Sequence, residues 1–118
     1  MLIKVLKSKL HRGRVSEAKL HYPGSIEIDE NLMWAAGIVP YEAVTVADVN
    51  NGHRLETYAV PGEPGSGRIV VLGAAAQLIK TGDVVIIFSF ALCTPDEAEA
   101  LVPKIVVLDE NNRIVKPQ

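Results

Sequence analysis

The 118-residue chain has a single cysteine, Cys93, and few aromatic residues, which make up only 5% of it. One cysteine excludes an intrachain disulfide and a zinc site built from four cysteines of one chain. The longest nearly uninterrupted apolar run, 84–93, is about half the roughly 20 residues that a membrane-spanning helix needs. The N-terminus also lacks the apolar segment of a signal peptide. These absences predict a soluble cytoplasmic protein with no membrane partner.

An excess of positive charge is also missing, since twelve Lys and Arg residues stand against fourteen Asp and Glu residues, for a net charge of −2. A chain that is basic overall, as many nucleic-acid-binding proteins are, is therefore excluded. Half of the basic residues still fall within the first twenty positions: Lys4, Lys7, Lys9, Arg12, Arg14 and Lys19. Nucleic-acid binding through this patch is a minor alternative, because aromatic residues that could stack on bases are few. We predict no nucleic-acid partner.

The apolar residues, 48% of the chain, are mostly aliphatic, which favours strands. The length fits one domain, which we assign to residues 1–118. Short alternating or apolar segments between turn residues predict strands near 2–9, 15–21, 26–28, 43–49, 53–60, 68–72, 84–92, 104–108 and 113–116. Many short strands at close spacing predict a mainly β fold, a small closed or partly closed barrel.

Short helices are expected to close the ends of this barrel. One spans 30–36, with Asp29 as its N-cap and Gly37 after its last turn. A second is expected from Ala74 to about Lys80, and a third begins at Thr94. We further predict a hairpin turn at 50–52, a loop over 61–67 and a strand buried on both faces over 84–92.

The most informative segment for function is His21-Tyr22-Pro23-Gly24-Ser25. Taken alone, it is typical of a tight turn between two strands. The functional interpretation is a strained Gly24–Ser25 peptide bond, whose carbonyl the Ser25 hydroxyl can attack to convert the amide into an ester. Elimination of that ester and hydrolysis would leave a pyruvoyl group in place of Ser25. Both interpretations remain open at this point.

Two further segments carry residues suited to binding an anion. Arg54 and Tyr58 share one face of a predicted strand, while Thr57 faces the other way. Arg binds carboxylates through two parallel hydrogen bonds, and Tyr can deliver a proton. Small residues in Gly73-Ala74-Ala75-Ala76 permit close approach of backbone N–H groups to an anion, or simply allow close helix packing. The three histidines have no spacing typical of metal ligands, so no metal is predicted.

Together these segments resemble the pyruvoyl-dependent L-aspartate α-decarboxylase family. The similarity runs in order from the N-terminus to about residue 108. It is carried by Ser8-Lys9-Leu10-His11-Arg12, His21-Tyr22-Pro23-Gly24-Ser25 with Ile28-Asp29, Ala35-Ala36-Gly37-Ile38, Asn51-Gly52 with Arg54, Thr57-Tyr58-Ala59, Gly73-Ala74-Ala75-Ala76 and Gly82-Asp83-Val84-Val85-Ile86-Ile87. Each segment is weakly specific alone, whereas the ordered set is highly specific.

The resemblance implies a double-psi β-barrel assembled as a homotetramer and made as an inactive proenzyme. It implies self-cleavage between Gly24 and Ser25 into pieces 1–24 and 25–118, with or without a helper protein. The cofactor would be the pyruvoyl group derived from Ser25, with no metal and no pyridoxal phosphate. That group would bind the amine of L-aspartate as a Schiff base, so that loss of CO2 gives β-alanine for pantothenate synthesis.

The resemblance also implies a role for each site residue. Tyr58 matches the proton donor, and Thr57 matches a residue that assists cleavage and touches substrate. Lys9 and Arg54 match the residues that bind the substrate carboxylates, and Gly73, Ala74 and Ala75 match backbone contacts. Tyr22 and Leu72 lie near the site, and Leu72 stands where the family usually carries Asn. The alternative is an unprocessed, catalytically inactive barrel homologue.

Overall fold

A computed structural model describes residues 1–115 of the chain. Its strands are β1 Ile3–Arg14, β2 Glu17–Lys19, β3 Ser25–Asp29, β4 Ala43–Asp48, β5 Arg54–Gly62, β6 Ile69–Leu72, β7 Val84–Cys93 and β8 Lys104–Val107. Its helices are α1 Glu30–Ala36, a short 3₁₀ helix Gly73–Gln77 and α2 Pro95–Ala100. The prediction of a mainly β fold with short helices is confirmed. None of the helices within residues 1–115 is long and apolar enough to cross a bilayer.

The eight strands form one sheet in the order β2-β6-β3-β5-β4-β7-β1-β8. Three neighbouring pairs are parallel, namely β2 with β6, β3 with β5 and β1 with β8, and the other four are antiparallel. The sheet curls around an aliphatic core, as the predicted small barrel requires. Side chains that are almost fully removed from solvent include Leu10, Ile26, Ile28, Val44, Val46, Ile69, Ile79 and Ile87.

Three local predictions are confirmed because short-range hydrogen bonds determine them. Asp29 caps α1 through Asn31 N, and Gly37 ends it in a left-handed conformation, φ +70°. Thr94 and Glu97 form a capping box at the start of α2. The Asn51-Gly52 turn joins antiparallel β4 and β5 as expected, with Gly52 at φ +79°.

The β4–β5 turn also contains a buried carboxyl group. Asp48 is 2% exposed, and its Oδ1 accepts a hydrogen bond from Asn50 N at 2.8 Å. Burial, together with the adjacent carboxyl of Asp83, raises the pKa of Asp48 above its ordinary value. The same contact, with a backbone hydrogen bond from Lys80, lowers the pKa of Asp83. Asp83 therefore loses its proton at a lower pH than Asp48 does.

The prediction that the apolar strand 84–92 is buried on both faces is wrong. In β7 the buried side chains alternate with half-exposed ones such as Phe88, and Leu92 is 69% exposed. The apolar run contains residues of both faces of β7. One face packs inside the barrel, and the other is an outer face that the short helices leave partly exposed. An apolar residue on an outer face leaves the same sequence signal as one in the core.

The bounds of other strands and helices differ from prediction because contacts with distant parts of the chain determine them. The first strand is longer than predicted and continues past Lys9 because β7 and β8 pair with it on both sides, with register shifts at 6–8 and 10–13. The expected helix from Ala74 to Lys80 is only a short 3₁₀ helix. The predicted loop 61–67 begins with two strand residues that pair with β3. The predicted strand 113–116 is a single bridge between Leu108 and Ile114, and its last residue lies outside the described residues.

Candidate active site

The predicted cleavage segment forms an arch over the end of β6. In the sheet, β6 lies between β2 and β3, so residues 20–24 must cross from one side of it to the other. Both ends of the arch pair with the same residue, because Leu72 is the register partner of Lys19 in β2 and of Ser25 in β3. Gly24 is exposed, whereas Ser25 directly after it is only 5% exposed. The Gly24–Ser25 bond thus lies where the chain enters the barrel.

Gly73 lies directly against the arch, because it has no side chain to keep the two backbones apart. It has φ +85°, a left-handed conformation that glycine adopts without strain. A Cβ at this position would lie 2.6 Å from Gly24 Cα, 2.9 Å from Gly24 N and 2.9 Å from Tyr22 O. All three are backbone atoms, so no side-chain rotation relieves the clash. The close approach of two backbones at this point therefore requires glycine.

An open cleft of about 490 Å³ lies beside the arch. Gly24 lines it from the arch, Thr57 and Tyr58 from β5, and Ala74 and Ala75 from the 3₁₀ helix. The remaining lining residues are Leu55, Glu56, Leu72 and Leu78. Sequence-predicted residues from three distant segments are therefore brought to one cavity. The cleft therefore has two hydroxyl-bearing residues, Thr57 and Tyr58, in its lining together with Gly24, the first residue of the predicted cleavage bond.

Tyr58 contacts the loop that joins α1 to β4, and this contact holds it at the edge of the cleft. Its ring lies 6.2 Å from the ring of Tyr41, measured between centroids, at an angle of 39°. Backbone hydrogen bonds from Tyr41 N to Ala59 O, 2.7 Å, and from Ala59 N to Glu42 O, 3.0 Å, tie that loop to β5. Tyr58 itself is 38% exposed and lines the cleft.

A partly buried ionic cluster anchors the loop that carries Tyr41. Lys7 Nζ lies 2.9 Å from both carboxylate oxygens of Glu42 and 2.9 Å from Gly37 O. Ser89, which is fully buried, donates a hydrogen bond to the same carboxylate. Burial acts to raise the pKa of Glu42, but the hydrogen bonds from Ser89 and Lys7 outweigh it and leave the pKa below its ordinary value. Glu42 is therefore ionised and paired.

Lys9 and Arg54, the predicted carboxylate ligands, lie outside this cleft. Lys9 in β1 is the direct register partner of Phe88 in β7. The Arg54 guanidinium carbon lies 4.8 Å from the centroid of the Phe88 ring. Neither basic residue lines the cleft that contains Gly24 and Tyr58. The structure thus places the Arg54 guanidinium over the Phe88 ring, and Lys9 directly opposite Phe88 in the neighbouring strand.

Tyr22, which was predicted to lie near the site, takes a peripheral position. Tyr22 is 53% exposed, and Lys19 Nζ lies 5.3 Å from its ring centroid, so its backbone rather than its ring contacts the Gly73 region. Burial, followed by the nearby charges of Lys9 and Arg12, lowers the pKa of His11. Within residues 1–115, no three His, Cys, Asp or Glu side chains are grouped closely enough to hold a metal ion.

Comparison with known proteins identifies the family of this chain. The family model described as aspartate decarboxylase matches residues 1–115. The chain belongs to the aspartate decarboxylase family. It is 57% identical to the aspartate 1-decarboxylase of Caldicellulosiruptor saccharolyticus, over 98% of this chain and 91% of that protein. It is 52% identical to the enzyme of the same name from Salinibacter ruber, over 98% of this chain and 80% of that protein. The resemblance inferred from the sequence is confirmed.

For this member of the aspartate decarboxylase family, sequence reasoning missed several residues of the site. Leu55, Glu56 and Leu78 line the cleft without having been predicted to do so. Phe88 was assigned to a buried strand, although it contacts Arg54 on the outer face. Leu78 and Phe88 carry no sequence signal beyond apolarity, so only the register of the strands and the short 3₁₀ helix reveal their neighbours.

Proposed function

We propose that this protein decarboxylates L-aspartate, releasing CO2 and β-alanine. The observation that carries the proposal is the cleft that Gly24, next to Ser25, lines together with Thr57, Tyr58, Ala74 and Ala75. The resemblance implied a role for each of these residues, and they come from three separate parts of the chain. Membership of the aspartate decarboxylase family supports the same reaction. The product would serve pantothenate synthesis.

The reaction needs an electron-withdrawing group, which we propose is a pyruvoyl group formed from Ser25. The Ser25 hydroxyl attacks the Gly24 carbonyl, so that the acyl group moves from nitrogen to oxygen. Elimination then releases residues 1–24 with a free carboxylate, and hydrolysis of the remaining enamine releases ammonia and leaves residues 25–118. The site fits this group, because Ser25 is shielded from solvent and Gly73 leaves space only for backbone beneath Gly24. Once formed, the pyruvoyl group supplies an electron sink for the bond that breaks.

The side chains of the cleft perform the remaining tasks. Thr57 lines the same cleft as Gly24, and we propose that its hydroxyl hydrogen-bonds the carbonyl under attack. Tyr58 is accessible from the cleft, and we propose that its hydroxyl delivers the proton that replaces the lost carboxylate. Backbone N–H groups of Gly73, Ala74 and Ala75 would orient the substrate. No metal and no pyridoxal phosphate takes part in this proposal.

We assign the substrate carboxylates to Lys9 and Arg54. We also propose that the protein assembles as a homotetramer. Because neither side chain lines the cleft of its own chain, we propose that assembly brings the pair of one subunit to the cleft of another. Large apolar side chains on the surface support assembly, since Trp34 is 84% exposed, Tyr41 76% and Val39 59%. A cytoplasmic location remains a prediction. Lys7 and Lys19 are already paired with Glu42 and Glu17, which weakens the nucleic-acid alternative.

Replacement of the nucleophile tests this function. Ser25→Ala has no hydroxyl to attack the Gly24 carbonyl, so intact mass should show one chain of full length, with no CO2 released from aspartate. The unmodified protein should show two pieces that correspond to residues 1–24 and 25–118. Ser66→Ala is a matched control, because Ser66 lies in a surface loop away from the arch. An unmodified chain that stays whole after prolonged warming and ignores aspartate would establish the inactive homologue instead.

Assembly of the site from two subunits has a separate test. Ser25→Ala and Arg54→Met variants should each be inactive or nearly so, and their co-expression should restore part of the activity if the residues act across an interface. Complexes formed from both variants contain some clefts with an intact Ser25-derived group and an intact Arg54. Absence of any recovery in mixed assemblies confirmed by mass would place both residues in one chain.

A further inference from the structure

Phe88 lies between the two residues proposed to bind substrate carboxylates. The antiparallel register sets Lys9 of β1 opposite Phe88 of β7. On the other side, Phe88 pairs with Thr45 of β4, which in turn pairs with β5 two residues from Arg54. The side chain of Arg54 reaches diagonally across β4 to the ring. In β4, the register partner of Arg54 is Ala47, whose small side chain does not block the path of the Arg54 side chain.

The Phe88 ring is the contact that holds the Arg54 guanidinium. Within the described residues, Arg54 forms no ion pair shorter than 4.0 Å and no side-chain hydrogen bond. A cation over an aromatic face is attracted by the ring quadrupole and uses none of its N–H donors in doing so. Arg54 therefore keeps its donors free for a carboxylate while its position is restrained.

We propose that Phe88 is a positioning residue for Arg54, which sets where this cation stands relative to Lys9. This inference rests on the proposed function, because it assumes that Arg54 binds a substrate carboxylate. Loss of the ring leaves Arg54 charged but free to adopt other rotamers, so binding weakens while the chemical step is retained.

The same strand offers a matched control. Phe90 lies two residues along β7, its ring is 6.2 Å from that of Phe88, and it also has a cation above it, Lys4 at 4.7 Å. Phe88→Leu and Phe90→Leu thus remove the same ring from the same strand and free one cation each. Only the first of these cations belongs to the proposed site. A general effect of repacking β7 should appear in both variants, whereas loss of positioning should appear in one.

The experiment compares binding of succinate, a dicarboxylate without an amine, by calorimetry on the processed full protein. Exposed cation–π contacts correspond to about a two- to fivefold change in a binding constant. Phe88→Leu should weaken succinate binding and raise KM for aspartate by that factor, with little change in kcat or in self-cleavage. Phe88→Tyr should bind as the unmodified protein does, and so should Phe90→Leu.

Two outcomes separate this inference from the proposed function. If Arg54→Met weakens succinate binding but Phe88→Leu does not, Arg54 keeps its proposed role and the positioning role of Phe88 is wrong. If Arg54→Met binds succinate normally, the carboxylate assignment itself fails, and this inference fails with it. The positioning role would also be overturned if Phe88→Leu and Phe90→Leu weakened succinate binding equally. It would be overturned as well if Phe88→Tyr bound succinate as weakly as Phe88→Leu does.

Discussion

Substitution of Gly73 by alanine tests how the arch is supported. The new Cβ would lie 2.6 Å from Gly24 Cα, so the arch must rise by about 0.8 Å to reach the ordinary contact limit of 3.4 Å. Overpacking of this kind costs about 1–3 kcal/mol. The left-handed backbone at φ +85° adds about 1–2 kcal/mol for any residue with a Cβ. We therefore expect Gly73→Ala to lower the free energy of unfolding by about 2–5 kcal/mol.

Gly52→Ala provides the control that separates these two costs. Gly52 has φ +79°, close to the value at Gly73, but no atom lies within 4 Å of the position of its Cβ. This variant should lose only the backbone contribution of about 1–2 kcal/mol. Thermal unfolding should place the midpoint of Gly73→Ala below that of Gly52→Ala by about 4–12 °C, at roughly 4 °C per kcal/mol.

Self-cleavage provides the functional measurement for the same pair of variants. Displacement of reacting groups by about 1 Å can slow a reaction on the order of 10²-fold. Gly73→Ala should therefore accumulate as uncleaved chain, measured by intact mass over time, while Gly52→Ala is cleaved at the normal rate. Equal midpoints for the two variants, with normal cleavage of both, would refute the view that Gly73 supports the arch.

The remaining predictions concern the proton donor, the cleft wall and the buried carboxyl. Tyr58→Phe should still cleave itself but should decarboxylate aspartate at least tenfold more slowly, because no hydroxyl remains to supply the proton; unchanged kcat would remove Tyr58 from that role. Leu72→Asn places an amide at the residue paired with Ser25, so faster self-cleavage or higher kcat is expected, and unchanged rates would show that the amide is not needed here. Asp48→Asn should raise the thermal midpoint at neutral pH. Because the folded-state pKa of Asp48 is raised, the wild type loses stability as pH rises past the ordinary Asp value of 3.8, so the gain should shrink toward acid pH. Asp83→Asn should act in the opposite direction, since its lowered pKa stabilises the folded state above that pH. A gain for Asp48→Asn that is independent of pH would contradict the assignment.

Features that depend on neighbours in the chain could be predicted from the sequence. Asp29 as a cap, Gly37 after the helix and the Asn51-Gly52 turn are each determined by backbone groups a few residues away. The Gly24–Ser25 segment stood out for the same reason, as a turn with a hydroxyl next to a glycine carbonyl. Alternation along the strand also placed Arg54 and Tyr58 on the opposite face from Thr57.

Predictions failed where the answer depends on what lies across the sheet. The apolar strand 84–92 was predicted to be buried on both faces, since apolarity does not distinguish a covered face from an open one. The helix after Gly73 stops early as a 3₁₀ helix, and no residue in the sequence marks that point. The position of Arg54 over Phe88 follows from the register of three strands, which is a long-range property.

The sequence by itself determined the caps and turns and the family, and it predicted Gly24 and Ser25 as the reactive pair, because these depend on residue types at short or ordered spacing. Only the tertiary structure decided that the segment 20–24 arches over the end of β6, with a glycine beneath it. Only the structure decided, too, that Lys9 and Arg54 lie apart from the cleft of their own chain. The physical reason is that strand order and register depend on burial summed over the whole barrel, which no local pattern encodes.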